Sequence, residues 1–240
     1  MEPLALSART LGELELNDYC PRCWWLSQHL KGNLPFQMPM PGIFGSIAAY
    51  TPNVIRSYFD EQNRLPSWYP RIGRVKGYVD GKALHWRRFT VKDKKTGIEL
   101  RGSPDDVFRL ADGSYHIVDY KTARLTAKQD ELGPLYEVQL NVYAYICEEL
   151  GSYSPISGLS LIYMEPRTGL GAESAAEAVL GDGFALLFSA TQKTVPLEPG
   201  KRIPRLLRRA RAIYDQQRAP KGRTGCEDCD SFARILNLTS

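Results

Sequence analysis

The sequence predicts an α/β fold, a central mixed β-sheet flanked by helices, and three observations carry that expectation. Between residues 74 and 120, short runs rich in β-branched and aromatic residues are broken by turn-forming DKKTG (93–97) and Asp112-Gly113. Residues 131–150 then read as a helix and ISGLSLIYME (156–165) as a buried strand. Finally, CPRC near the start (Cys20, Cys23) and CEDC near the end (Cys226, Cys229) predict terminal segments joined by a four-cysteine metal centre.

In chain order, Thr10 to Glu13 fits a capping box and opens a helix that runs through Leu11 and Leu14 towards the first cysteine pair. GNLPFQMPMPG (32–42) holds three prolines and is an extended connection. Thr51 before Pro52 reads as an N-cap with proline in the first turn, starting a helix whose Val54, Ile55, Tyr58 and Phe59 recur at helical spacing. Strands follow at 74–79, 84–91, 98–109 and 114–120, as one meander ending in YHIVDYK. After the helix at 131–150 and the strand at 156–165, the glycine- and alanine-rich 166–183 is a loop or weak helix. FALLFSATQKTVPL returns to a strand, and Leu206, Leu207, Ala210 and Ile213 give the last basic helix its apolar face.

Composition narrows the function. At 240 residues, 43% apolar and 24% charged, the chain has the balance of a water-soluble globular domain. No stretch approaches the roughly 18 uncharged apolar residues of a membrane helix. MEPLALSARTLG lacks the basic-then-apolar order of an export signal, so a cytoplasmic, membrane-free protein is expected. Five cysteines in such a setting argue for thiols or metal ligands over disulfides, with Cys147 an inert core residue. A net charge of +4 does not by itself announce nucleic acid. Its distribution says more: Lys201, Arg202, Arg205, Arg208 and Arg209 begin a basic stretch suited to phosphate contacts. Trp24, Trp25 and Trp68 are either core or stacking residues.

Gly102-Ser103-Pro104-Asp105, Asp119-Tyr120-Lys121 and Gln139-x-x-x-Tyr143 form one constellation. Residues two apart on a strand share a face, so Asp119 and Lys121 project together while His116, Val118 and Tyr120 face the other way. The Asp112-Gly113 hairpin returns the Asp105 strand alongside, and Gln139 and Tyr143 share a helix face. Asp106 is expected on the opposite face, solvated. Two carboxylates beside a lysine suit metal-assisted phosphodiester hydrolysis: Asp105, Asp119 and the Tyr120 carbonyl would hold Mg²⁺ or Mn²⁺. Lys121 would position the attacking water or stabilise the phosphate, and Gln139 and Tyr143 would support the site.

GxxD, DxK and QxxxY in this order resemble the PD-(D/E)xK nuclease superfamily, in its RecB-like branch. With Tyr19-Cys20-Pro21-Arg22, the chain is most similar to the CRISPR-associated exonucleases and AddB-type nuclease domains. The resemblance implies a restriction-endonuclease-like core and a single domain over 1–240, with 1–32 and 200–240 forming the cysteine-stapled helical part and 74–197 the catalytic core. It implies a Mg²⁺- or Mn²⁺-dependent deoxyribonuclease acting on single-stranded DNA or DNA ends, in CRISPR adaptation or repair, beside an integrase or recombination helicase. It also implies a 4Fe-4S cluster on Cys20, Cys23, Cys226 and Cys229, where ligand spacing alone equally allows zinc. Two departures stand out. The cysteines divide two and two, not one and three, with Ile235 roughly where a third late cysteine is expected. Ala49, four residues after Gly45, replaces a metal-binding histidine, for which Asp60 or Glu61 are possible substitutes. An inactive nucleic-acid-binding or adaptor protein on the same fold is the alternative.

Overall fold

The computed structural model describes residues 2–33, 41–126, 131–169 and 176–239. Most of the proline-rich connection and part of the stretch at 166–183 lie outside the described residues. Among the described residues ten strands and six α-helices are distinguished. A five-stranded mixed sheet is the centre, in the order β10-β7-β6-β5-β2, built from β2 (Val75–Tyr78), β5 (Asp106–Leu110), β6 (Tyr115–Lys121), β7 (Ile156–Pro166) and β10 (Phe188–Val195). β6 runs parallel to β7 and the other neighbours are antiparallel. The parallel pair is joined by helix α4 (Gly133–Leu150), the crossover that parallel neighbours require.

Helices cover both faces of this sheet, as expected from the sequence. α4 buries Val138, Leu140, Val142 and Ile146 against Val107, Ile117, Leu159 and Leu161. On the other face, Ile55 of α3 (Gly42–Gln62) packs with Tyr69, Phe108, Val118, Tyr120, Ile162 and Met164. β6 is therefore enclosed on both sides, and Ile117, Val118 and Asp119 are nearly inaccessible. α5 (Pro199–Tyr214) adds Ile203, Leu206, Leu207 and Ala210 to the larger core.

Four local expectations are corrected. The first helix is capped by Ser7, whose hydroxyl accepts the Thr10 amide at 3.0 Å, and α1 (Ala8–Gly12) ends in a 3₁₀ turn before α2 (Pro21–His29) begins. Thr51 is no N-cap: its hydroxyl donates to the Ile47 carbonyl inside α3, and Pro52 sits within that helix. Residues 84–91 form turns up to β3 (Thr90–Lys92), held by buried Leu84 and Phe89. The predicted strand at 98–109 breaks into β4 (Ile98–Arg101) and β5, with the GSPD segment between them.

The meander is thus divided. β3 and β4 join β1 (Leu4–Ser7) in a separate sheet ordered β1-β4-β3, where β1 runs parallel to β4 and pairs Ser7 with Arg101. The chain's beginning is thereby brought beside Gly102. β8 (Val179–Leu180) and β9 (Gly183–Phe184) form a small exposed hairpin before β10. Among the described residues no helix is long and apolar enough to cross a membrane.

His116 on β6 faces the α3 side, where its Nε2 lies 2.8 Å from Ser160 Oγ. Burial lowers its pKa to about 4, so the unfolded chain takes up a proton that the native one refuses between about pH 6.5 and 4. Its contribution is complete above pH 6.5 and is lost as the pH falls. Denaturant unfolding of the native chain and His116→Gln should therefore show their stability difference shrinking by up to about 3 kcal/mol between pH 7 and pH 4. A difference that stays constant across that range contradicts this account.

Candidate active site and cysteine centre

Strand alternation places Asp119 and Lys121 on the α4 side of β6, as read from the sequence. Lys121 Nζ stands 2.6 Å from Asp119 Oδ2 and donates to Gln139 Oε1 at 3.2 Å. Gln139 Nε2 reaches Asp119 Oδ1 at 3.3 Å and the Tyr143 hydroxyl at 2.7 Å. The four side chains named from DxK and QxxxY thus form one connected group. Tyr136, one turn before Gln139, adds a ring whose centroid lies 4.2 Å from Lys121 Nζ. Its position three residues upstream of Gln139 was the available signal, because i and i+3 share a helix face.

Asp105 joins this group from the segment before β5. The Tyr120 amide donates to its Oδ2 at 2.8 Å, tying GSPD to DxK. Burial, reinforced by the neighbouring Asp119 charge, pushes the Asp105 carboxyl up to about 7 despite that amide and Lys121. Gly102 has a steric reason: a Cβ there would lie 2.8 Å from Tyr143 Cδ1 and 2.9 Å from Phe89 Cδ1. Glycine lets the segment pass between two rings, which brings GxxD against QxxxY.

Asp106 does point to the opposite face, but it is fully buried, not solvated. Arg56 of α3 donates from Nε to Asp106 Oδ1 at 2.7 Å and from Nη2 to the Asp105 backbone carbonyl. The Tyr120 hydroxyl donates to Asp106 Oδ2 at 2.7 Å and meets the Tyr69 hydroxyl at 2.9 Å. Burial raises the Asp106 pKa to about 6, held there by Arg56 and Tyr120. This network clamps the backbone of Asp105 from behind. Sequence reading missed Arg56 because its partner lies 50 residues away on another element.

A family comparison decides what this cluster belongs to. The model of the PD-(D/E)XK nuclease superfamily matches residues 56–233. The chain belongs to that superfamily. No curated protein sequence matches it significantly. Solved structures similar to it include SSO0001, 15% identical over 92% of this chain and 80% of that one, with a TM-score of 0.42. An alkaline exonuclease from Laribacter hongkongensis is 12% identical over 97% and 94%, with a TM-score of 0.42. The same exonuclease in complex with dAMP aligns at 12% identity over 96% and 94%, with a TM-score of 0.40.

PD-(D/E)XK nucleases typically use divalent metals, and the acidic cluster has the chemistry for one. Asp119 Oδ2 is buried beside the Lys121 ammonium, 2.6 Å away. Two aspartates side by side, with the proton affinity of Asp105 raised by burial and by the Asp119 charge, suit an oxygen-seeking cation. Among the described residues no third carboxylate or histidine completes a compact ligand group there. Ala49 lies on the exposed first half of α3, and Asp60 accepts the Tyr78 hydroxyl at 2.7 Å. Glu61 is exposed.

The four cysteines do converge. All their Sγ atoms lie within 4.8 Å of one another, with Cys20–Cys229, Cys23–Cys229 and Cys23–Cys226 at 3.5, 3.5 and 3.6 Å. Cys20 precedes α2 and Cys226 precedes α6 (Glu227–Thr239), so two helix starts supply the pairs. Burial opposes ionisation of Cys20, but amides of Arg223 and Cys23 and the neighbouring thiols bring it down to about 6. Burial and the adjoining thiols push Cys229 up to about 11 and Cys23 higher still. A tetrahedron of thiolates with 2.3 Å bonds has edges of about 3.8 Å, close to these separations. Cys147 is buried on α4, and burial pushes its thiol up to about 12.

Five of the six basic residues of α5 have partners within the chain, Arg211 among them through Asp215 at 2.8 Å. Arg202 pairs with Glu137 and Glu198, Lys201 with Glu198, and Arg205 with Glu15. Arg209 donates to the Leu14 carbonyl at 2.7 Å and lies over Tyr19. Arg208 is exposed and has no ion pair among the described residues. Trp24 is core, Trp25 stacks on His29, and Trp68 is half-exposed.

Arg56→Ala should cost about 3–5 kcal/mol in denaturant unfolding, because it leaves the Asp106 carboxylate buried without its cation. Pairing it with Asp106→Leu should recover much of that loss; a single variant as stable as the native chain contradicts the clamp.

Proposed function

We propose that the chain is a metal-dependent deoxyribonuclease of the RecB-like branch, acting on single-stranded DNA or DNA ends. The observation that carries the reading is the connected, partly buried set of Asp105, Asp119, Lys121 and Gln139 at the junction of β5, β6 and α4. Pro104-Asp105 and Asp119-x-Lys121 fill the motif after which the superfamily is named. Asp105, Asp119 and the Tyr120 carbonyl would hold Mg²⁺ or Mn²⁺. When bound, that ion supplies a polarised phosphoryl oxygen and a water of lowered pKa. Lys121, held by Asp119, Gln139 and the Tyr136 ring, orients the attacking water and offers positive charge to the phosphate as charge builds on it. Gln139 fixes the lysine and Asp119 together, and Tyr143 fixes Gln139.

The proposal includes one nuclease domain over 1–240, with 74–197 as its catalytic core and 1–32 with 200–240 as its cysteine-stapled part. Exposed Arg208 would meet nucleic-acid phosphates; Lys201, Arg202, Arg205 and Arg209 would do so only by sharing their charge with their carboxylate and carbonyl partners. The setting would be CRISPR adaptation or DNA repair in the cytoplasm, next to an integrase or a recombination helicase. At the cysteine centre the thiol separations favour one zinc-sized ion over a 4Fe-4S cluster, whose thiolates each bind a different iron and stand further apart. A second reading, an inactive nucleic-acid-binding or adaptor protein, is favoured by one observation: no third carboxylate or histidine joins Asp105 and Asp119 among the described residues.

End-labelled single- and double-stranded DNA, incubated with anaerobically purified protein and Mg²⁺ or Mn²⁺, separates these readings. Cleavage is expected, falling by about 10²-fold or more in Asp119→Ala and Lys121→Ala. Absence of products from the folded native chain moves the assignment to the adaptor. Elemental analysis of the same protein should give about one zinc per chain and no visible charge-transfer absorption. Iron with inorganic sulfide overturns the single-ion reading, and Cys226→Ser should lose the metal and lower the thermal midpoint.

A further inference from the structure

Resting on the nuclease reading, a second feature of the same region speaks to which form of the substrate is held. Trp86 is 40% exposed on the turn before β3, although Leu84 and Phe89 on either side of it are each only 1% exposed. The turn is not loose: the Arg88 and Phe89 amides both donate to the His85 carbonyl, at 2.8 and 2.9 Å. A large aromatic ring is thus presented to solvent on a braced support. Two guanidinium groups lie over the ring, Arg101 at 5.1 Å and Arg87 at 5.3 Å from its centroid.

Trp86 forms part of the wall of a cleft of about 380 Å³, together with Ser7, Arg9, Arg101 and Ser103. The cleft reaches Gln139 and Tyr143, the two side chains that hold Asp119. Its size lies within the roughly 300–1,000 Å³ usual for small-molecule sites. Arg9 is exposed at its rim, and Arg101 keeps one carboxylate partner, Glu99, at 2.7 Å. Among the described residues no carboxylate lines the cleft itself.

A half-exposed indole that already holds cations over its ring, on a cleft reaching the side chains that hold Asp119, suits an unpaired nucleobase, which would take the place of a guanidinium on the ring while that arginine turns to a flanking phosphate. A base inside a duplex has both faces covered by its neighbours and cannot use such a platform. We infer that Trp86 stacks on an unpaired base of the bound strand, next to the phosphodiester to be cut, with Arg9 and Arg101 taking adjacent phosphates. The platform makes the protein a reader of single-stranded DNA, independently of base identity, because every base has a π-face.

The test is fluorescence anisotropy of a labelled oligothymidine and a blunt hairpin duplex on the full chain carrying Asp119→Ala, which removes cleavage. Trp86→Leu keeps apolar bulk without the π-face and should weaken single-strand binding by about tenfold, while duplex binding changes by less than about twofold. Trp86→Phe should recover most of the single-strand affinity. Equal losses for both DNAs, no loss for either, or Phe no better than Leu overturns the inference, as does a parent protein that binds no single strand. Failure of the nuclease reading looks different: the native chain would bind oligothymidine in a Trp86-dependent way and cleave nothing.

Discussion

Charge placed where charge is costly governs this molecule. β6 is enclosed on both faces, yet it carries Asp119 on one side, with Lys121 at its end, and Asp105 and Asp106 lie beside it. A buried carboxylate needs partners, and each has a different set. Asp106 takes the guanidinium of Arg56 and the hydroxyl of Tyr120, a closed arrangement with both oxygens used. Asp119 takes Lys121 on one oxygen and Gln139 on the other, both at the end of β6 nearest Asp105. The two neighbouring aspartates therefore differ in kind: Asp106 supports the backbone from the α3 side, and Asp105 is left raised in pKa and available on the α4 side.

The rest of the architecture serves that placement. α4 lies across the sheet because the parallel pairing of β6 and β7 demands a crossover, and the same helix delivers Tyr136, Gln139 and Tyr143 at one-turn intervals. The separate sheet brings β1 against β4, so that Ser7 and Arg101 stand in register at the edge of the GSPD segment. α5 is held to this assembly by its arginines, which reach Glu15, Glu137 and the Leu14 carbonyl. Much of the positive charge that reads as a free basic face is spent inside the chain, joining the last third of the fold to the first.

The legible parts of the sequence were those governed by local rules. Period-2 alternation correctly put Asp119 with Lys121, and helical spacing put Gln139 with Tyr143. The hairpins at 93–97 and Asp112-Gly113 also form, with Thr96 and Ser114 donating to Asp93 and Asp112. The parts that were not legible depend on distant partners. β1 is only four residues long and pairs with a strand over ninety residues away, which no periodicity announces. The parity of Asp106 was correct, but its burial depends on Arg56 covering it from α3. Trp86, absent from the sequence-based candidates, is exposed only because the stretch expected as a strand is a turn.

The cysteine centre has a consequence for the chain as it is made. Its outermost cysteines, Cys20 and Cys229, are 209 residues apart, and neither pair alone offers four thiols. At roughly 5–20 residues per second of synthesis, the early pair waits roughly 10–40 s for the late one to be translated. During that interval Cys20 and Cys23 stand with only two residues between them and without their native partners, open to oxidation or to capture of a stray ion. Any ion held by all four thiols therefore enters only once the late pair has been made.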